Sequence, residues 1–491
     1  MNWKRSLLAI LTILSMYSVF FALSQSLGEP QVQAQLELYQ TNLILNASSW
    51  NPSQENISSI SQNLIGENPL SIARSSYEKA LTLTQDSLNK LKENEDSIAT
   101  ETPRQQLKKS IIQNEKLIDE LNLKLGIILA EENNLDLATN YWQQISNKNI
   151  SETLSDIWVK QAYFDEKLEE KITNKLDSWF KLKILEKNYN NANNQIKVEE
   201  IIYQQQNLAE KAIYRLFTLS LIPVFGGIIG FGLIIFLLIQ LLTKKQDSIL
   251  AINYNISWES PWDWEIIWQV FIVGFFFLSQ VLLPIIFGIG GFNPAVLGIK
   301  GKALYVLLSY FLMAGGGLLV LYLSLKPFFP LPQDWFKITN KNWYWWGIGG
   351  YLVAIPSVFF VSILNQQLWQ GRGGSNPLLL LALESQDKFA LAIFFITASI
   401  AAPIFEEIMF RGFLLPSLTR YLPVWGAIIV SGVIFAIAHL SLAETIPLAT
   451  LGIILGIVYT RSRSLLASII LHSLWNSGTL FSLFLLGSKL T

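Results

Sequence analysis

The chain has no cysteine, which excludes disulfides, thiolate metal sites and a cysteine nucleophile. Histidine is nearly absent. There are two in 491 residues, so no three-histidine metal site can form within the chain. Charge is scarce as well: Asp, Glu, Lys and Arg make up 15% of residues, against about a quarter in an ordinary soluble domain. Neither sign is in surplus, with 36 basic and 37 acidic side chains, so no basic field points to nucleic acid. What is plentiful is apolar. Half the chain (51%) is hydrophobic, mean hydropathy is +0.35, and there are 16 Trp, a residue that membrane interfaces use.

Composition divides the chain. Residues 1–27 open with Lys4 and Arg5 and continue as an apolar run to about Leu23. That pattern reads as a signal anchor in preference to a cleavable signal peptide, and it predicts export of the polar segment C-terminal to it. Residues 28–212 are polar, poor in Gly and Pro, and carry helical Leu/Ile spacing such as Leu107, Ile111, Leu117, Leu121 and Leu125. They predict an extramembrane helical domain. Leu125, Gly126, Ala138 and Trp142 stand at tetratricopeptide-like offsets, although neighbouring segments do not repeat them.

From about Leu216 onward the chain reads as membrane. Apolar stretches at 216–242, 266–288, 303–324, 345–364, 389–413, 424–443, 445–460 and 465–486 are candidate spans. The fold class expected is therefore all-α: a polytopic transmembrane bundle of about eight C-terminal spans plus the N-terminal anchor. Two Trp clusters, Trp258 to Trp268 and Trp335 to Trp346, fall before spans, as interfacial belts do. With Lys4 and Arg5 taken as cytoplasmic, loops on that side hold nine basic residues: Lys244, Lys245, Lys326, Lys337, Lys341, Arg411, Arg420, Arg461 and Arg463. The opposite short loops hold Lys300, Lys302, Arg372 and Lys388. This balance fits a 28–212 domain on the extracytoplasmic side.

Ionisable residues inside the spans carry the functional information. A charge at bilayer depth costs at least ~2.5–3.5 kcal/mol on insertion scales, so it needs a partner or a task. Glu406, Glu407 and Arg411 lie within six residues of one apolar run. Glu407 and Arg411 are i and i+4, on one helix face, and can pair. Glu406 is rotated about 100° away with no i+4 cation. It is left to face something else, as a general acid or base would. Both histidines lie in later spans. His472 and Asn476 are again i and i+4, two donors on one face that can cradle an oxyanion. Counted along the spans at 1.5 Å per residue, His439 lies roughly 22 Å in, against roughly 10 Å for Glu406 and His472.

Two chemistries fit these groups. Either Glu406 activates a water beside His439 without a metal, or Glu406, His439 and His472 hold Zn²⁺. The motifs Glu-Glu-x-x-x-Arg at 406–411, Phe-x-x-x-His at 435–439 and His-x-x-x-Asn at 472–476 resemble those of the CPBP (CAAX protease and bacteriocin-processing, or Abi) intramembrane proteases. The likeness covers roughly residues 385–485 and implies a protease core at 385–491, with 213–384 as additional membrane helices. It implies that Glu406 is the catalytic base, that His439 shares the water, and that His472 and Asn476 stabilise the oxyanion. Glu407 and Arg411 are then supporting positions.

The resulting expectation is a glutamate-type endopeptidase of a bacterial plasma membrane, needing no cofactor unless zinc is bound. Its substrate would be a membrane-associated protein, with the 28–212 domain recruiting that substrate or a partner. The rivals are a non-catalytic scaffold or immunity protein and a proton-relaying transporter. The loop 371–377, rich in glycine, is expected to be a flexible connector.

Overall fold

The computed structural model describes residues 3–27, 31–51, 64–95, 101–164, 176, 178–385, 387–488 and 490. Met1 and Asn2 of the basic N-terminal motif lie outside the described residues. Among those described there are helices and no strands. The chain forms two compact units. One contains the first helix, α1 (Trp3–Ser26), with Leu221–Ser488; the other begins at Val32 and ends at Ser220.

The Val32–Ser220 unit contains α2 (Val32–Ser48), α3 (Pro69–Glu95), α4 (Glu101–Glu131), α5 (Leu135–Gln143), α6 (Lys148–Trp158) and α7 (Ser178–Asn191). The α4–α5 turn uses Asn133 at φ 61°, a conformation Asn tolerates better than most residues. Trp142 is fully buried, and its indole N–H donates to the Leu123 carbonyl at 3.3 Å. A Cβ on Gly126 would collide with that indole. The Gly126 and Trp142 spacing thus has a packing cause: α5 approaches α4 closely enough that only glycine fits beneath the ring.

Helix α8 (Gln195–Lys244) carries the chain past residue 212 without interruption. It is followed by α9 (Trp264–Ile289), α10 (Ile299–Leu325), α11 (Trp343–Trp369), α12 (Pro377–Glu384), α13 (Lys388–Leu418), α14 (Val424–Ile437), α15 (Leu442–Ser462) and α16 (Leu465–Gly487). Among the described residues eight helices are long and apolar enough to cross a membrane: α1, α8, α9, α10, α11, α13, α15 and α16. This is an integral membrane protein built as a helical bundle.

One expected span is corrected. The run 424–443 does not continue as a helix. It stops at Ile437, giving a 14-residue apolar helix, and the next helix starts at Leu442 rather than 445. The cause is local. Leu440 adopts φ 57°, and the Ser441 side chain caps α15 by accepting the Glu444 N–H at 3.3 Å. The Trp clusters are corrected in part. Trp258, Trp262 and Trp335 are core residues rather than belt residues. Trp262 packs 4.3 Å from Trp335 and donates to Ser417 Oγ at 2.9 Å. Trp264 and Trp345 remain exposed.

Candidate active site

Helix α13 carries the paired glutamates, and its backbone is irregular on both sides of them. Ile396–Ala401 and Ile408–Leu414 have wide, π-type turns flanking Ala402–Glu407. Such widening often accompanies function. In the first wide turn the Ala402 N–H reaches back five residues to the Thr397 carbonyl. The next residue, Pro403, has no N–H to give Ala398 in the same register. In a membrane helix that carbonyl needs another donor. Asn476 of α16 supplies it, its Nδ2 donating to Ala398 O at 2.7 Å. At its start α13 is capped by Asp387, whose carboxylate accepts the Ala390 N–H at 2.9 Å. That bond holds Asp387 below the usual carboxylate range, with Lys300 at 3.4 Å assisting.

Glu407 and Arg411 form the pair their spacing predicts, at 2.8 Å, and neither side chain is exposed. Arg411 also donates to the Gly452 carbonyl of α15 at 2.9 Å and lies 4.6 Å from the Phe435 ring centroid. Gly452 is reachable because α14 and α15 touch backbone to backbone. A Cβ on Gly452 would stand 2.8 Å from Gly432 Cα. His472 completes this cluster, with Nδ1 3.0 Å from Glu407 Oε1. Since the Arg411-paired carboxylate accepts, Nδ1 is the donor. The other nitrogen, Nε2, lies 3.9 Å from Glu406 Oε2.

Glu406 faces the other way, into a cavity of about 520 Å³ lined also by Tyr310, His439, Glu444 and Asn476. The Tyr310 hydroxyl donates to Glu406 Oε1 at 3.2 Å. The second oxygen, Oε2, is buried and has no hydrogen-bond partner among the described residues. His439 sits in the break between α14 and α15 rather than deep within a span, which brings it to the same cavity as Glu406 despite its count along the sequence. Its Nδ1 lies 2.8 Å from the Phe435 carbonyl. A carbonyl only accepts, so Nδ1–H is the donor, and neutral His439 keeps a lone pair on Nε2.

The structure therefore brings Glu406, His439 and Asn476 to one cavity, while His472, Glu407 and Arg411 stand behind Glu406. His472 directs Nδ1–H to Glu407, and Asn476 spends one of its two N–H groups on Ala398 O, so the pair does not offer all its donors to a ligand. Two lining residues escape the sequence reading. Tyr310 gives no local signal, since it comes from α10, 96 residues before Glu406. Glu444 was visible as a charge in an apolar run, but its place beside His439 was not.

The glycine-rich loop is no loose connector. Gly373, at φ 103°, accepts the Ala443 N–H at 3.1 Å, and its missing Cβ leaves room for Ala443. The Ser441 hydroxyl donates to Gly374 O at 3.1 Å, and the Asn376 N–H donates to Glu444 Oε1 at 3.1 Å. The loop is latched to the α15 N-terminus beside the cavity. As for metal, no three His, Asp or Glu side chains among the described residues converge as ligands. His472 Nδ1 faces Glu407 and His439 Nδ1 faces a backbone carbonyl, so in each ring Nε2 is the nitrogen left to meet a water or another ligand.

Residues 388–478 match the family model "Type II CAAX prenyl endopeptidase Rce1-like". The chain is 26% identical over 133 residues to a Bacillus subtilis protein described as "Putative membrane peptidase YdiL". That stretch is 27% of this chain and 53% of the relative, so the chain spans about half the length of the curated relative it matches. No solved structure matches the chain.

Proposed function

With an Rce1-like domain over its C-terminal helices, we propose that this protein is an intramembrane endopeptidase that hydrolyses a peptide bond of a membrane-associated protein. One observation carries the reading: a buried carboxylate oxygen, Glu406 Oε2, with no hydrogen-bond partner among the described residues, on the wall of a cavity that also holds an imidazole and an amide.

In this mechanism a water in the cavity gives a proton to Glu406 while its oxygen bonds the scissile carbonyl carbon. The lone pair of His439 Nε2 accepts the water's second proton as a hydrogen bond and orients it. The oxyanion receives the Asn476 N–H not used by Ala398 O. Collapse breaks the C–N bond, and the proton held by Glu406 passes to the leaving amine. Tyr310 and His472 position Glu406; Glu407 and Arg411 position His472. No metal step is needed in this scheme. The extramembrane helical unit recruits the substrate or a partner, on the extracytoplasmic side of a bacterial plasma membrane.

The test compares new protein N-termini in host membranes carrying wild type or Glu406→Gln at equal abundance. Termini present only with wild type are expected, with cleavage reduced about 10²–10⁴-fold in the variant. Equal termini in both strains would favour a non-catalytic scaffold. Purified wild type is expected to keep its activity in a chelator; loss would return the zinc reading.

A further inference from the structure

Away from this cavity stands a buried charge with no hydrogen-bond acceptor among the described residues. Arg461, in the last turn of α15, is 2% exposed. Its Nε, Nη1 and Nη2 are all buried, and no described group accepts a hydrogen bond from any of them. Five guanidinium donors without an acceptor are costly inside a protein. The surroundings offer an aromatic face, which offsets part of the charge, but no ion-pair partner among the described residues. The guanidinium lies 5.2 Å from the ring centroid of Trp425, in the first turn of α14. That helix starts at Pro423 with no side-chain cap, so its N-terminal N–H groups favour an anion as well. Arg463, two residues on, stacks on Trp258 at 3.4 Å and donates to the Ile256 carbonyl.

An apolar groove of about 580 Å³ runs along α15 as far as Val458, one turn before Arg461. Its walls include Leu238 of α8, Trp345 and Gly349 of α11, and Ile454 and Ile457 of α15. Ile454, Ile457 and Arg461 are i, i+3 and i+7, one face of one helix. Ile252 also lines the groove, and the next residue, Asn253, donates to the Arg461 carbonyl at 3.0 Å. The Arg461 backbone is thus fastened to a segment that lines the groove.

We infer that this groove and Arg461 form a binding site for one anionic phospholipid, its acyl chains along α8, α11 and α15 and its phosphate on the Arg461 guanidinium. The unpaired cation selects an anion, and the apolar groove in a membrane-embedded bundle selects one that carries hydrocarbon. Trp425 is itself 44% exposed, so its ring is the cover that moves to admit the headgroup.

The test uses the full-length protein in detergent, titrated with phosphatidylglycerol, phosphatidylcholine or inorganic phosphate. Bound lipid is read by native mass spectrometry and stabilisation by Tm. One phosphatidylglycerol per chain is expected, with a saturable rise in Tm. Affinity should fall about tenfold or more in Arg461→Met, the scale of one charge-assisted hydrogen bond. Ile457→Trp, which fills the groove and leaves the arginine, should also lose the lipid. Retention of phosphatidylglycerol by both variants overturns the site. If inorganic phosphate alone gives the full rise in Tm, the site is a free-anion site and the lipid assignment is wrong. Should Arg461→Met not fold, equal binding of the two lipids by wild type overturns the proposal, and selective binding that Ile457→Trp abolishes upholds it.

Discussion

Two ion pairs of equal length stand in different solvents. Lys92 and Glu115, in the Val32–Ser220 unit, meet at 2.8 Å with their side chains about half exposed. Glu407 and Arg411, in the membrane bundle, also meet at 2.8 Å, and neither is exposed at all. Distance does not rank them; surroundings do. The exposed pair trades water for a partner of similar value, whereas the buried pair has no water to fall back on. The same contrast separates Arg411, which has Glu407 and Gly452 O as acceptors, from the also buried Arg461, which has none among the described residues.

The largest break in this comparison is Arg411→Ala. It leaves buried Glu407 with the His472 N–H but without its cation and should destabilise the bundle by about 3–5 kcal/mol, read as a loss of Tm or of expressed protein. The double change Glu407→Gln with Arg411→Met should cost less than either charge removal alone. Next is Asn476→Ala, which leaves Ala398 O bare at a cost of about 1–3 kcal/mol. Adding Pro403→Ala supplies the missing N–H and should restore part of that stability without restoring cleavage. If it restores none, the backbone register given for α13 is wrong.

Smaller effects belong to the extramembrane unit. Burial raises the pKa of Glu131 above the ordinary carboxylate value, against the lowering effect of Lys183. The folded unit then holds a proton that the unfolded chain releases first. Stability is full below the unfolded pKa and falls as pH rises through the folded one. Glu131→Gln should remove that fall, a difference visible in melting curves between acid and neutral pH. Smallest of all, Lys92→Ala should change stability by less than about 1 kcal/mol, and less still in high salt.

The sequence determined what one helix can fix alone. Runs of some twenty apolar residues set the eight long apolar helices, because backbone groups in lipid must bond within the segment. Helical periodicity set the Glu407–Arg411 pair and put His472 and Asn476 on one face, because i and i+4 are neighbours whatever surrounds them. Even the Gly126–Trp142 spacing was legible, as a pattern without its reason. Tertiary structure decided the rest. A local break at Leu440 and Ser441 ended the 424–443 run, and helix packing then set His439 on the same cavity as Glu406. It took Tyr310 from a distant helix and Glu444 from the next one to line the cavity, turned an amide of α16 toward the carbonyl left by Pro403, and buried Arg461 without an acceptor. These depend on how helices cross and pack, which local spacing does not encode.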